Sequence, residues 1–195
     1  MKLFPIAAIV LLSIYGCAGK EKKVAQPGNN TEAIDSFFPV TSFIKGQLLL
    51  LDSLQVTPLQ IITKPGKTDS IWLTKEKLKP YLLPFATPTI TETNFIPYFK
   101  QTRFKDLTIN AITFTYDPLA PMPDSINLRH WDIYINPETG NVSKVYIVKE
   151  IKEKGVDLTL QLTWQSNKWA KITTLVNKPN GKMELVKDEK FVWDF

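Results

Sequence analysis

Cysteine and histidine are almost absent from this chain: Cys17 and His130 are the only examples in 195 residues. A lone cysteine cannot close a disulfide within the chain. One of each is also too few for a zinc site, which gathers three or four Cys, His or carboxylate ligands, so no metal ligand is assigned. Glycine is scarce as well. The 8 glycines are dispersed in turns, and no glycine-rich loop is present to cradle a phosphate. Lys and Arg number 24 against 19 Asp and Glu, for a formal charge of +5, but no basic block stands out. The run Lys149-Glu150-Ile151-Lys152-Glu153-Lys154 mixes signs, as a solvated face does. Nucleic-acid binding would want clustered basic residues with interleaved aromatics, so no nucleic-acid partner is expected.

Nucleophilic catalysis needs a nucleophile, a base and a group that orients the base. His130 falls in a strand spanning 128–136, next to Trp131 and two positions before Asp132. Strand alternation puts His130 and Asp132 on one face, within reach of an ion pair. The remaining carboxylates are scattered, and nothing selects two of them as an acid–base pair. The sequence therefore points to no catalytic residue and no cofactor, and a non-enzymatic protein is expected.

What is present suits an ordinary globular chain: 44% hydrophobic residues, 22% charged, with 11 Phe and 5 Trp to fill a core. A folded part of about 160 residues buries roughly 70% of its chain surface and needs no covalent staple. The first residues have a different character. Met1-Lys2 is a short positive start, and Leu3–Tyr15 is apolar almost throughout. As a helix this stretch reaches only about 20 Å, short of the roughly 30 Å hydrocarbon layer. That is the length of the apolar part of a signal peptide, not of a spanning helix.

Ile14-Tyr15-Gly16-Cys17 follows at once. It resembles the lipobox of bacterial lipoproteins: an aliphatic residue three places before the cysteine, a small residue just before it, and then the cysteine. The resemblance implies cleavage before Cys17, a diacylglycerol thioether on its sulfur and an acylated, palmitate-type amino terminus. It further implies anchoring in a bacterial membrane, with the outer membrane facing the periplasm as the expected location. Two or three acyl chains hold a protein stably where one does so only marginally. Residues 1–16 are then a signal peptide and residues 17–34 a polar, breaker-rich tether. As a flexible coil the tether spans about 20–25 Å. One globular domain occupies 35–195.

Within that domain the hydrophobic period changes once. Phe37, Val40, Ile44, Leu48 and Leu51 lie at helical spacing, with Asp35 or Ser36 as cap and Pro39 in the first turn. Short strands at 58–63 and 70–73 flank a Lys64-Pro65-Gly66-Lys67 turn. Thr74 caps a second helix reaching Phe85, with a kink expected at Pro80. A third, short helix is expected over 93–103. From Leu107 the period becomes two, giving strands around 112–116, 131–135, 142–151, 156–164 and 172–176, and a last one over 183–193. Tight turns such as Asn136-Pro137-Glu138-Thr139-Gly140 link them. The expected fold is α+β: two or three N-terminal helices packed on an antiparallel meander sheet of five or six strands.

One hairpin, Trp131-Asp132-Ile133-Tyr134-Ile135-Asn136-Pro137-Glu138-Thr139-Gly140-Asn141-Val142, resembles the strand–turn–strand of PepSY-like modules. Those are small helix-plus-sheet domains of the cell envelope credited with binding or inhibiting partners, and the resemblance implies a binding role without assigning a residue. If Asn136 pairs with Asn141, simple alternation places Trp131, Ile133, Ile135, Val142, Tyr146 and Val148 on one face and Tyr134, Val145, Ile147 and Ile151 on the other. Both faces are then partly apolar.

The leading expectation is a lipid-anchored envelope protein that binds another protein or envelope component. The alternative is a carrier or sensor of a hydrophobic ligand held between sheet and helices. Asp52-Ser53-Leu54, Asp69-Ser70-Ile71 and Asp124-Ser125-Ile126 share an Asp-Ser-aliphatic pattern. It resembles the O-glycosylation signal some Gram-negative bacteria use on exported proteins, which makes Ser53, Ser70 and Ser125 candidate acceptors. Asp-Ser is equally a common turn and capping pair.

Overall fold

A computed structural model describes residues 37–120, 122–123 and 125–194. Cys17, the signal peptide and the tether expected over 17–34 lie outside those residues, as do Asp35 and Ser36.

Helix α1 runs Val40–Ser53 and helix α2 Lys75–Ala86. Between them lies the hairpin β1 (Leu59–Lys64) and β2 (Lys67–Trp72). A single 3₁₀ turn at Ile96–Tyr98 leads into β3 (Phe99–Asp106). The chain then weaves through β4 (Ala111–Pro118), β5 (Leu128–Ile135), β6 (Val142–Glu153), β7 (Val156–Gln165), β8 (Trp169–Asn177) and β9 (Met183–Val192). All nine strands form one sheet in the order β2-β1-β9-β8-β7-β6-β5-β4-β3, and every pairing is antiparallel.

The expected five or six strands beneath two or three helices are therefore overturned. The N-terminal hairpin does not stand apart. β1 pairs with β9, from Leu59 opposite Val192 to Thr63 opposite Asp188, and so extends the meander by two strands. The third helix does not form either. Pro97 falls inside the 3₁₀ turn, and the chain then runs extended, with Phe99–Asp106 paired along its whole length to β4. A ladder partner along all eight residues offsets more than a proline-interrupted helix could. Of the two α-helices, α1 starts one residue after Pro39, which stands at its N-cap without a side-chain hydrogen bond. Thr74 is at the N-cap of α2, which continues through both Pro80 and Pro84.

One face of the sheet carries the core. Trp131 stacks on Tyr116 at 4.4 Å between ring centroids and meets Phe99 edge-on at 4.6 Å. Phe85 of α2 meets Trp164 edge-on at 5.4 Å, and Tyr81 lies 5.2 Å from Phe191. Ile44, Leu78 and Leu82 complete the layer and are almost fully buried. The segments flanking the helices are fastened as well: before α1 the Phe38 amide donates to the Tyr116 hydroxyl at 3.1 Å, and after α2 the Ile90 amide donates to Thr41 Oγ1 of α1 at 2.9 Å.

The Asn136–Gly140 turn closes as its sequence suggests, with Gly140 at φ +70° and the Asn136 amide bonded to the Asn141 carbonyl. The faces beyond it differ from simple alternation. Ile135 pairs with Val142 but Tyr134 pairs with Lys144, so Ser143 is an extra residue in β6. This β-bulge reverses the phase of the strand. Val145 and Ile147 join Trp131 and Ile133 in the core, while Tyr146 and Val148 move to the open face beside Tyr134 and His130.

Among the described residues the sheet has two free edges. β2 is exposed along its whole length, and β3 presents Lys100, Arg103 and Lys105. Among the described residues no helix is long and apolar enough to cross a membrane.

Leu162 sits at the centre of the core face with no exposure, whereas Leu160 on the same face of β7 is half-buried. We expect Leu162→Ala to cost about 2–5 kcal/mol in denaturant unfolding and Leu160→Ala clearly less. Equal losses would contradict this layering.

Candidate functional site

The face of the sheet away from the helices is open, and its pairing register aligns side chains across all nine strands. One row runs from Trp72 through Leu59, Val192, Trp169, Gln165, Lys144, Tyr134 and Thr113 to Phe104. Its two ends are the exposed aromatics Trp72 and Phe104. Cations lie over two of its rings, Lys144 Nζ 3.7 Å from the centre of Tyr134 and Lys190 Nζ 4.9 Å from that of Trp169.

Two rows along the same face lies the histidine, with Asp132 in the row between. His130 and Asp132 share this face, as i and i+2 on one strand must, and His130 Nε2 lies 2.9 Å from Asp132 Oδ2. A second carboxylate, which the sequence did not reveal, arrives from β4: Asp117 Oδ1 is 2.8 Å from His130 Nδ1. Asp132 also accepts hydrogen bonds from Thr115 Oγ1 at 2.6 Å and from the Tyr134 hydroxyl at 3.3 Å. The Tyr146 ring stands edge-on to the imidazole, 6.1 Å away.

Each ring nitrogen thus faces a carboxylate, and only the imidazolium can donate to both. The bond to Asp132 raises the His130 pKa; partial burial opposes this, and Asp117 reinforces it. At Asp132 burial pushes the pKa up, but hydrogen bonds from His130, Thr115 and Tyr134 prevail and hold it below its ordinary value. Burial, with the nearby Asp132 charge, pushes the Tyr134 phenol up to about 12, and the same causes raise Tyr146. The cluster therefore offers hydrogen-bond donors, fixed charges and aromatic faces. A histidine with a carboxylate at each ring nitrogen has no free nitrogen with which to accept a proton from a substrate. Among the described residues no group of three or more His, Cys, Asp or Glu is arranged to hold a metal ion.

Two other features lie on the helical side. An apolar groove of about 460 Å³ runs between α1 and α2, lined by Leu48, Leu49, Leu82 and Leu83 with Lys45 and Lys79 among its polar residues. Lys149 is the other. It sits on the helix-covered face of β6 and is 4% exposed, beside a cavity of about 480 Å³. Sequence reasoning missed it, because it opens the mixed-charge run taken for a solvated face. A period-two count from Val145 and Ile147 would have turned it inward.

The candidate acceptor serines are spread apart. Ser53, at the end of α1, donates to the Leu50 carbonyl at 2.7 Å. Ser70 lies inside β2 on the open face, and its amide is held by Asp69 Oδ1. Ser125 is exposed beside the Lys149 cavity. No family model, no curated protein and no solved structure matches the chain.

The clamp on His130 has a definite pH signature. A raised histidine pKa stabilises the fold fully below the unfolded value of about 6.5, and that contribution fades as pH rises through the folded pKa. The lowered Asp132 pKa contributes above about 3.9 and is lost as pH falls through its own folded value. The stability difference between the parent and His130→Gln should therefore be largest at about pH 4–6.5. A difference that stays constant up to pH 9 would show that His130 is not charged in the fold.

Proposed function

We propose that this chain is a lipid-anchored, non-enzymatic protein of the bacterial cell envelope, held through Cys17 and binding another protein or envelope component through the open face of its sheet. The observation that carries the reading is the cross-strand array from Trp72 to Phe104 with the His130 cluster beside it. Aromatic rings on a rigid support, with charged groups already oriented by neighbours, are what interface anchors consist of. Among the described residues no helix covers this face, and the ladder fixes the backbone that carries its Tyr, Trp, Lys and Thr side chains, so no backbone ordering opposes contact. The location most in keeping with the anchor is the outer membrane facing the periplasm.

A second reading, a carrier or sensor of a hydrophobic ligand between sheet and helices, draws on one observation. Most of that layer is filled by Trp131, Trp164, Phe191 and Tyr116, but the cavity beside Lys149 lies where α2 ends above β6 and β7.

Cys17→Ala should move the protein from the membrane fraction to an unprocessed or soluble form; a variant still cleaved and membrane-bound would end the anchoring reading. A photo-crosslinking side chain at position 146 should capture envelope components that one at position 49, in the helix groove, does not. Capture from position 49 alone would transfer the binding role to the helices. For the candidate acceptors Ser53, Ser70 and Ser125, intact mass of natively expressed protein should exceed polypeptide plus lipid, and Ser→Ala at these positions should remove the excess. A mass equal to polypeptide plus lipid leaves the Asp-Ser pairs as turn and cap chemistry only.

A further inference from the structure

The helix-covered face of the sheet contains two buried charges, and they are treated differently. Glu189 is 5% exposed and has Lys187 Nζ at 2.6 Å and the Gln60 side-chain amide at 3.3 Å. Lys149 has no carboxylate within ion-pair distance among the described residues. Its ammonium donates to the carbonyl oxygens of Pro84 and Thr87 at the C-terminal end of α2. Those bonds satisfy orphan carbonyls of the helix end, but they bring no negative charge and use two of the three N–H groups. A buried cation without a counter-ion is costly, and the cost is visible: burial alone lowers the Lys149 pKa to about 8.

The cation also borders open space. The open pocket of about 480 Å³ beside it has Phe95, Ile151 and Leu160 as apolar walls and Ser125 and Asn127 as polar ones at its margin. Neither of those two polar side chains bonds to another described residue. A size of several hundred Å³, apolar walls and a few convergent polar groups are the ordinary make-up of a small-molecule site.

We propose that this cavity binds a small carboxylate-headed amphiphile, its head on Lys149 and its short alkyl tail against Phe95, Ile151 and Leu160. The third N–H of Lys149 supplies a charge-assisted hydrogen bond, and Ser125 and Asn127 supply the remaining donors. The anion provides the counter-ion that no described residue supplies. This deepens the carrier or sensor reading and needs no anchoring through Cys17, so its failure leaves the anchoring reading intact.

The test uses the full chain with ¹⁵N-labelled lysine and reads the Lys149 Nζ resonance against pH, with octanoate as probe and acetate and octanol as controls. Octanoate should raise the midpoint of Lys149 by about one pH unit, a tenfold preference for the charged form. Octanol should not move it, and acetate should do so only at far higher concentration. Lys149→Met should weaken octanoate binding at least tenfold. Leu160→Trp leaves the ammonium in place and fills the cavity, so it should also abolish the shift, which covers the case in which Lys149→Met does not fold. A midpoint unmoved by octanoate would overturn the proposal. So would Asp124→Asn lowering the midpoint in the absence of ligand, because the counter-ion would then be the chain's own.

Discussion

Nine strands at about 4.8 Å spacing make a sheet roughly 40 Å wide, and two helices about 10 Å across cover only half of that. Everything else in the architecture answers this shortage of cover. Under the helices the face is closed by Phe85 on Trp164 and Tyr81 on Phe191. Beyond them, toward β4 and β3, irregular chain does the work: Phe37 before α1 meets Tyr116 and Phe95 after α2 lies near Phe99, while Phe38, Ile90 and Met122 join the same core cluster. Irregular backbone over a core has to find its hydrogen bonds one at a time. The Phe38 amide on Tyr116 and the Ile90 amide on Thr41 are two of them.

The same shortage explains why polar groups appear in the core layer where α2 stops. A helix end exposes carbonyls that need donors, and Lys149 reaches up from the sheet to provide them. The indole N–H groups of Trp131 and Trp164 are buried without a hydrogen-bond partner among the described residues, each at a cost of about 1–3 kcal/mol. Their ring contacts on Tyr116 and Phe85 are what this cost is set against. Shape governs the centre of this core, and hydrogen bonding governs its margins.

Local periodicity made much of this legible. The hairpin around Lys64–Lys67, the helix that starts after Thr74 and the alternating strand from Val156 to Trp164 all lie close to where their sequences place them, though Thr74 makes no side-chain capping hydrogen bond. What escaped depends on partners far along the chain. That β1 joins β9 is a pairing across more than a hundred residues, and nothing in Leu59–Lys64 announces it. The strand at Phe99–Asp106 has little alternation of its own, and its ladder with β4 decides its conformation. One inserted residue, Ser143, was enough to exchange the faces of Val145 and Tyr146. Lys149 escaped for a different reason: it opens a mixed-charge run that reads as a solvated face, yet it is 4% exposed. His130 with Asp132 was readable from spacing two, but Asp117 required the register of a neighbouring strand.

The two free edges end the sheet in different ways. β2 is short and carries one charge of each sign, Lys67 and Asp69, beside exposed Ile71 and Trp72. β3 carries three cations against a single Asp106 in eight residues. Two copies meeting β3 to β3 would set lysine and arginine against lysine and arginine along a desolvating ladder, which like charges oppose. Growth of the sheet from molecule to molecule is therefore blocked at one end by charge and left to brevity at the other. In a crowded layer of such chains, self-association should begin from the Trp72 side.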